Sequence, residues 1–207
     1  MTRKLFSGLL LTISLTAFIA CGNSDDKKDK TETPATTETA KKDEAGGVNA
    51  GGNAADCGTT AITFGADKIK SDGFTMKYSE AVLWNMASNE TKYPAIIVQV
   101  ANYEKEGSYL QSPTNDNVRI MFTISGKAGE KLRIGDYEIG GDGGFGIGYA
   151  VSGGIENKDG NKGFYNAKGK ATITYLGEDK VCGIIDVSGT DTFIKGTFSI
   201  PLTKSPY

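Results

Sequence analysis

The 207-residue sequence contains no histidine. That removes Ser-His-Asp and Cys-His catalysis, histidine-bearing zinc sites and the commonest general base. Cysteine occurs three times and tryptophan once. No stretch has convincing helical periodicity, and residues 80–90, helical on propensity alone, alternate as a strand through Trp84. Charge is nearly balanced, with 23 basic and 25 acidic residues and no basic patch, which argues against nucleic acid as a partner. Between residues 22 and 56 large apolar side chains are almost missing, Val48 being the exception. Such a segment cannot bury enough surface to offset its backbone entropy and is expected to be a disordered tether.

The N-terminus has what the tether lacks. Arg3 and Lys4 precede an uncharged run, Leu5 to Ala20, that is short for a membrane-spanning helix. A basic head, a short apolar run and small residues at its end describe an export signal. Ala20 directly before Cys21 resembles the lipobox of bacterial lipoproteins, with Phe18 where that family prefers Leu. The resemblance implies a signal peptide over 1–20, acyl chains on Cys21 and a membrane partner through that anchor, since each buried CH₂ contributes about 0.8 kcal/mol. Ser24, Asp25 and Asp26 resemble the export tag of surface lipoproteins in Bacteroidetes-type bacteria. That implies an outer-membrane location on the cell surface, the alternative being a domain that faces the periplasm. Removing the signal takes away two basic residues and leaves 21 against 25 acidic ones.

Three segments follow: the signal peptide 1–20, the lipidated cysteine and tether 21–56, and one folded domain 57–207. In an oxidising compartment the remaining pair, Cys57 and Cys182, is expected to form a disulfide. It would close most of the domain into one loop and contribute roughly 5 kcal/mol in the chain-entropy model.

The domain reads as strands with glycine punctuation. Phe74, Met76, Tyr78, Val82 and Trp84 form one apolar row, interrupted by Glu80, while Leu83 interrupts the polar row. Val118, Ile120, Phe122 and Ile124, then Ala171, Ile173 and Tyr175, then Ile194, Phe198, Ile200 and Leu202 repeat the period of two. The apolar stretch 94–101 suits a central strand. Turn signals at 71–73, 125–130, 158–163, 177–179 and 188–191 separate these runs. The expectation is an all-β fold of about eight to ten short strands, an antiparallel β-sandwich with a β-barrel as the alternative. The tail from Lys168 to Leu202 also resembles the last strands of small uncharacterised lipoprotein domains, a likeness that brings no active site with it.

Chemistry is sparse. The Gly-rich segment 135–154 has GxGxxG-like spacing, but a phosphate cradle needs a following helix. It is expected to be a pair of edge strands, or a ligand-facing ribbon presenting Tyr137, Phe145 and Tyr149. ENKDGNKG at 156–163 lacks the glycine and the final acid of a calcium loop, so a hairpin is expected and no metal site. Trp84 is assigned to the core. Glu80, on the apolar row, is either a buried acid with a raised pKa or a residue at a bend that water reaches. Tyr93, Tyr103 and Tyr109 flank the long loop 102–117, a candidate contact surface. No cofactor is implied. The leading expectation is a non-catalytic, anchored surface lipoprotein whose β domain binds a protein or glycan or serves an envelope complex. A small-ligand carrier with a barrel cavity is the alternative, and a carboxylate-based glycoside hydrolase is the further one.

Overall fold

The computed structural model describes residues 47–88, 90–139 and 149–205. Eleven strands follow one another: β1 (Ala61–Ala66), β2 (Ile69–Lys70), β3 (Tyr78–Ser88), β4 (Thr91–Ala101), β5 (Arg119–Ser125), β6 (Gly135–Ile139), β7 (Ala150–Asn157), β8 (Gly160–Gly163), β9 (Lys168–Leu176), β10 (Lys180–Ser188) and β11 (Thr192–Lys204). Eight of them run β10-β9-β6-β7-β5-β4-β3-β11, and the pairing of β10 with β11 closes the ring. The fold is all-β, and it is the barrel rather than the sandwich. Period-two alternation is common to both architectures, so closure depends on pairings that the pattern does not encode.

Two long strands share one edge between two partners. β11 takes β1 antiparallel along Thr192–Thr197 and β3 parallel along Leu202–Lys204. β7 takes β8 antiparallel along Gly154–Asn157 and β6 parallel at Ala150 and Val151. Glycines sit at these branch points. Gly196 has φ +136°, and a Cβ there would lie 2.0 Å from the Ala61 carbonyl oxygen. Gly153 has φ +152°, and a Cβ would lie 2.3 Å from the Met121 carbonyl oxygen. A side chain at either position would force the neighbouring strand away. The Gly-rich segment therefore contributes β6 and β7 to the barrel wall itself, not a pair of edge strands. β6 lies between β9 and β7, and β7 pairs with β5.

The interior is filled by side chains. Phe122 and Phe198 meet edge to face at 5.5 Å, surrounded by Ile96, Val98, Ile120, Ile173, Ile185 and Ile200, all at most 1% exposed. An eight-stranded barrel is just wide enough to be filled in this way, and each large residue so buried contributes about 1.5–3 kcal/mol. Closure thus comes without the open interior that a carrier needs around these residues.

Two expectations are corrected here. In β3 the inward residues are Ala81 and Leu83, not the row through Val82 and Trp84. Their register partners Val98 and Ile96 are inward as well. The strand also starts at Tyr78, leaving Phe74 to pack on Phe64 at 4.9 Å and Met76 exposed. The second correction concerns the tether border, because order begins before Cys57. Asn49 N–H donates to Leu132 O at 2.7 Å, and Gly51 and Leu176 exchange two backbone bonds of 3.0 Å. Val48 packs against the core. A short 3-10 turn, Ala54–Asp56, is capped by Asn53, whose side chain accepts from Ala55 N–H at 3.1 Å. The strap ends at the Cys57–Cys182 disulfide, which joins it to the outer face of β10.

Candidate functional site

The outward residues of β3 and β4 form the floor of a groove of about 730 Å³. Val82, Trp84 and Ile97 give it an apolar base, and Gln99 and Glu80 continue it as a polar strip. Register explains the arrangement: Val82 pairs with Ile97 and Glu80 with Gln99, so four outward side chains stand together. One wall is the long loop 102–118, which brings Lys105, Ser108, Tyr109 and Leu110 over the sheet. The end of β11 supplies Thr203 and Lys204 on the other side.

The loop is held in several places. Val118 N–H donates to Asn102 Oδ1 at 2.7 Å, and the Tyr103 hydroxyl donates to Gln111 O at 2.5 Å. Arg119 donates through Nη1 to Leu110 O at 3.1 Å and through Nε to Glu156 at 3.0 Å. Leu110 is 8% exposed, so the loop has an apolar anchor as well. A second tie runs from Lys105 Nζ to Glu80 at 3.3 Å.

Glu80 is the electrostatic centre of the groove. Its carboxylate accepts from the Tyr78 hydroxyl, from Lys105 and, at 3.1 Å, from Thr203 Oγ1. Burial pushes its pKa up, but the hydrogen bonds from Tyr78, Lys105 and Thr203 together outweigh burial and hold it below the usual carboxylate range. This corrects the raised pKa considered from sequence. Burial and the bond to Glu80 push the Tyr78 phenol up. Both cations beside the floor are paired, Lys105 with Glu80 and Arg119 with Glu156.

The other residues singled out in the sequence fall elsewhere. Cys57 and Cys182 are bonded, with Cα atoms 5.7 Å apart. Cys21, Ser24, Asp25, Asp26 and Phe145 lie outside the described residues. Tyr137 is fully buried, and its hydroxyl donates to Arg133 O at 2.6 Å while accepting from Arg133 N–H at 3.1 Å. It is therefore a core residue and not a ligand contact. Tyr149 stacks edge to face on it at 5.6 Å and is half-buried in a shallower cleft with Lys127, Glu130 and Arg133. Its ring lies 4.4 Å from the Arg133 guanidinium carbon, and its hydroxyl donates to Glu130. Segment 156–163 is a hairpin in which Asn157 Oδ1 accepts from Asp159 N–H at 3.0 Å.

Assigning Trp84 to the core hides the groove from the sequence. The available signal was the pair of apolar runs, Val82-Leu83-Trp84 and Ala95-Ile96-Ile97-Val98. A strand apolar on both faces has both faces covered, and here the outer cover is the loop. No family model, curated protein or solved structure matches the chain.

Proposed function

We propose that this chain is a non-catalytic surface lipoprotein, anchored through Cys21, whose barrel domain is a binding module for a protein or glycan. The observation that carries the binding half is the groove over Val82, Trp84 and Ile97. It is concave, apolar at its base and ringed by a few fixed polar groups, as ligand sites are. Hydrolysis is the weaker reading. A glycosidase needs a carboxylic acid held protonated near neutral pH, opposite a second carboxylate. Glu80 is the carboxylate lining this groove, and its surroundings favour the ionised form. The location half rests on the sequence of residues 1–26.

Protease treatment of intact cells, with a periplasmic protein as control, tests the location. Loss of this protein while the control survives is expected, and survival until the outer membrane is broken would move the domain to the periplasm. Cys21→Ser is expected to release the protein from membranes, and a variant that stays bound would remove the anchor. The binding half is read from Trp84, the sole tryptophan. The uncharged apolar dye N-phenyl-1-naphthylamine is expected to change its emission saturably. A flat titration would remove the groove as a binding surface.

A further inference from the structure

We infer that the groove's ligand is a neutral oligosaccharide, its sugar rings lying against Trp84 and Tyr109 and its hydroxyls bonded to Glu80 and Gln99; this rests on the binding reading above.

Four observations narrow the class. First, the middle of the floor offers no strand edge. β4 is paired with β3 and β5 through Ile97 and Gln99, and β3 is paired with β4 throughout and with β11 at Ala81–Leu83. An extended peptide that binds by strand addition needs an open edge, so it finds none at Val82, Ile97 and Gln99. Second, the apolar base is short and is interrupted by Glu80, Gln99 and Lys105. An amphipathic helix seeks a continuous apolar trough for residues a turn apart, and none is present there.

Third, the charges are cancelled in place. Lys105 is 3.3 Å from Glu80, and Arg119 is bonded to Glu156. A phosphate or polyanion would have to break one of these pairs to gain a cation from the floor. Lys204, at the rim, is the charge left to attract an anion among the lining residues. A neutral ligand leaves both pairs intact.

Fourth, the polar groups are the kind that sugar hydroxyls need, and Glu80 is already oriented. Glu80 is held by three donors and keeps further lone pairs, since a carboxylate has about four acceptor sites. Gln99, half-buried beside it, adds both a donor and an acceptor. The aromatic pair supplies the apolar faces against which the C–H surfaces of a sugar rest. Tyr109 is 61% exposed at the mouth, and Trp84 is half-buried on the floor. The volume of about 730 Å³ lies within the usual range for such ligands.

The test titrates the full chain with maltotriose, cellotriose and chitotriose, following Trp84 emission, with the uncharged phenylnaphthylamine dye in parallel. At least one trisaccharide is expected to shift the emission saturably. Tyr109→Ala and Gln99→Ala should each weaken that binding about tenfold, which is 1.4 kcal/mol. Their thermal midpoints should remain near that of the parent, because both residues lie outside the barrel core. If the dye binds and displays saturation while none of the three sugars does, the glycan inference fails and the groove stands. If neither binds, both readings fail. If a sugar binds with equal strength to folded Tyr109→Ala and Gln99→Ala, the assignment to this groove is overturned.

Discussion

Arg119 Nη1 donates a 3.1 Å hydrogen bond to the Leu110 carbonyl oxygen, joining the barrel wall to the loop that roofs the groove. The same guanidinium binds Glu156 across the β5–β7 pairing, where Arg119 and Glu156 are register partners. One side chain thus couples loop position to strand pairing. Arg119→Ala would leave Glu156 without its partner and the Leu110 carbonyl without a donor. A loss of about 2–3 kcal/mol is expected, smaller than for a fully enclosed pair because both side chains retain some water. Urea denaturation measures the total, and faster amide exchange confined to residues 103–117 would show that the loop is released first.

Glu80 gives the groove a pH dependence of defined sign. Its folded pKa lies below the unfolded value of about 4.3. Its contribution is therefore present in full above that value and is lost as pH falls through the folded one. Thermal midpoints measured from pH 7 down to pH 3 should drop less steeply in Glu80→Gln than in the parent. Parallel curves would show that the bonds from Tyr78, Lys105 and Thr203 do not favour the charged form.

Leu83 and Trp84 are chain neighbours on opposite sides of the wall, and truncation should separate them. Leu83 is 3% exposed inside the barrel, so Leu83→Ala is expected to cost about 2–5 kcal/mol. Trp84→Ala removes a larger side chain from a half-open groove and should cost less than Leu83→Ala, while altering ligand binding more. Equilibrium unfolding of the two variants side by side provides the comparison. A larger cost for Trp84 would return that residue to the core.

The disulfide should matter well beyond its local contacts. Cys57 and Cys182 are 125 residues apart in sequence. The double variant Cys57→Ala/Cys182→Ala is expected to lose about 2–5 kcal/mol. Amide exchange should rise at Asn49 and Gly51, whose bonds to Leu132 and Leu176 hold the strap. Unchanged protection there would mean that the strap is fixed by its backbone bonds alone.

The strands were legible where one face is wet and the pairing is regular; in β9 the bulge opposite Cys182 and Gly183 puts Leu176 inside in place of Tyr175. Ile120-Phe122-Ile124 and Ile194 through Leu202 alternate as read, and these residues do line the interior. The reading failed where both faces are covered. In β3, residue size pointed to Trp84 as the core residue, but the crowded interior takes Ala81 and Leu83, and the loop shelters the larger ring outside. Barrel closure was hidden for another reason. The shared edge of β11 joins it to β1 and β3, far away in sequence, and this edge and that of β7 leave only isolated glycines as a trace. The strap was missed because Val48 is its one large apolar residue, and its order comes from backbone bonds, which composition does not report. The pairing of Cys57 with Cys182 was readable because setting Cys21 aside as the expected lipidation site leaves a single pair of cysteines.

The strap has a mechanical consequence. Tension applied along the chain from the N-terminal side arrives at Cys57, where the covalent bridge divides it. One branch runs into β1, at the barrel's periphery, while the other enters β10 near its start, at its third residue. β10 is hydrogen-bonded to β9 on one side and to β11 on the other along most of its length. Load is thereby spread over two long antiparallel ladders, and the short parallel seams at β6–β7 and β3–β11 are spared. Reduction of the bridge would send the whole force through β1, whose pairing with β11 spans only six residues and can be peeled from one end.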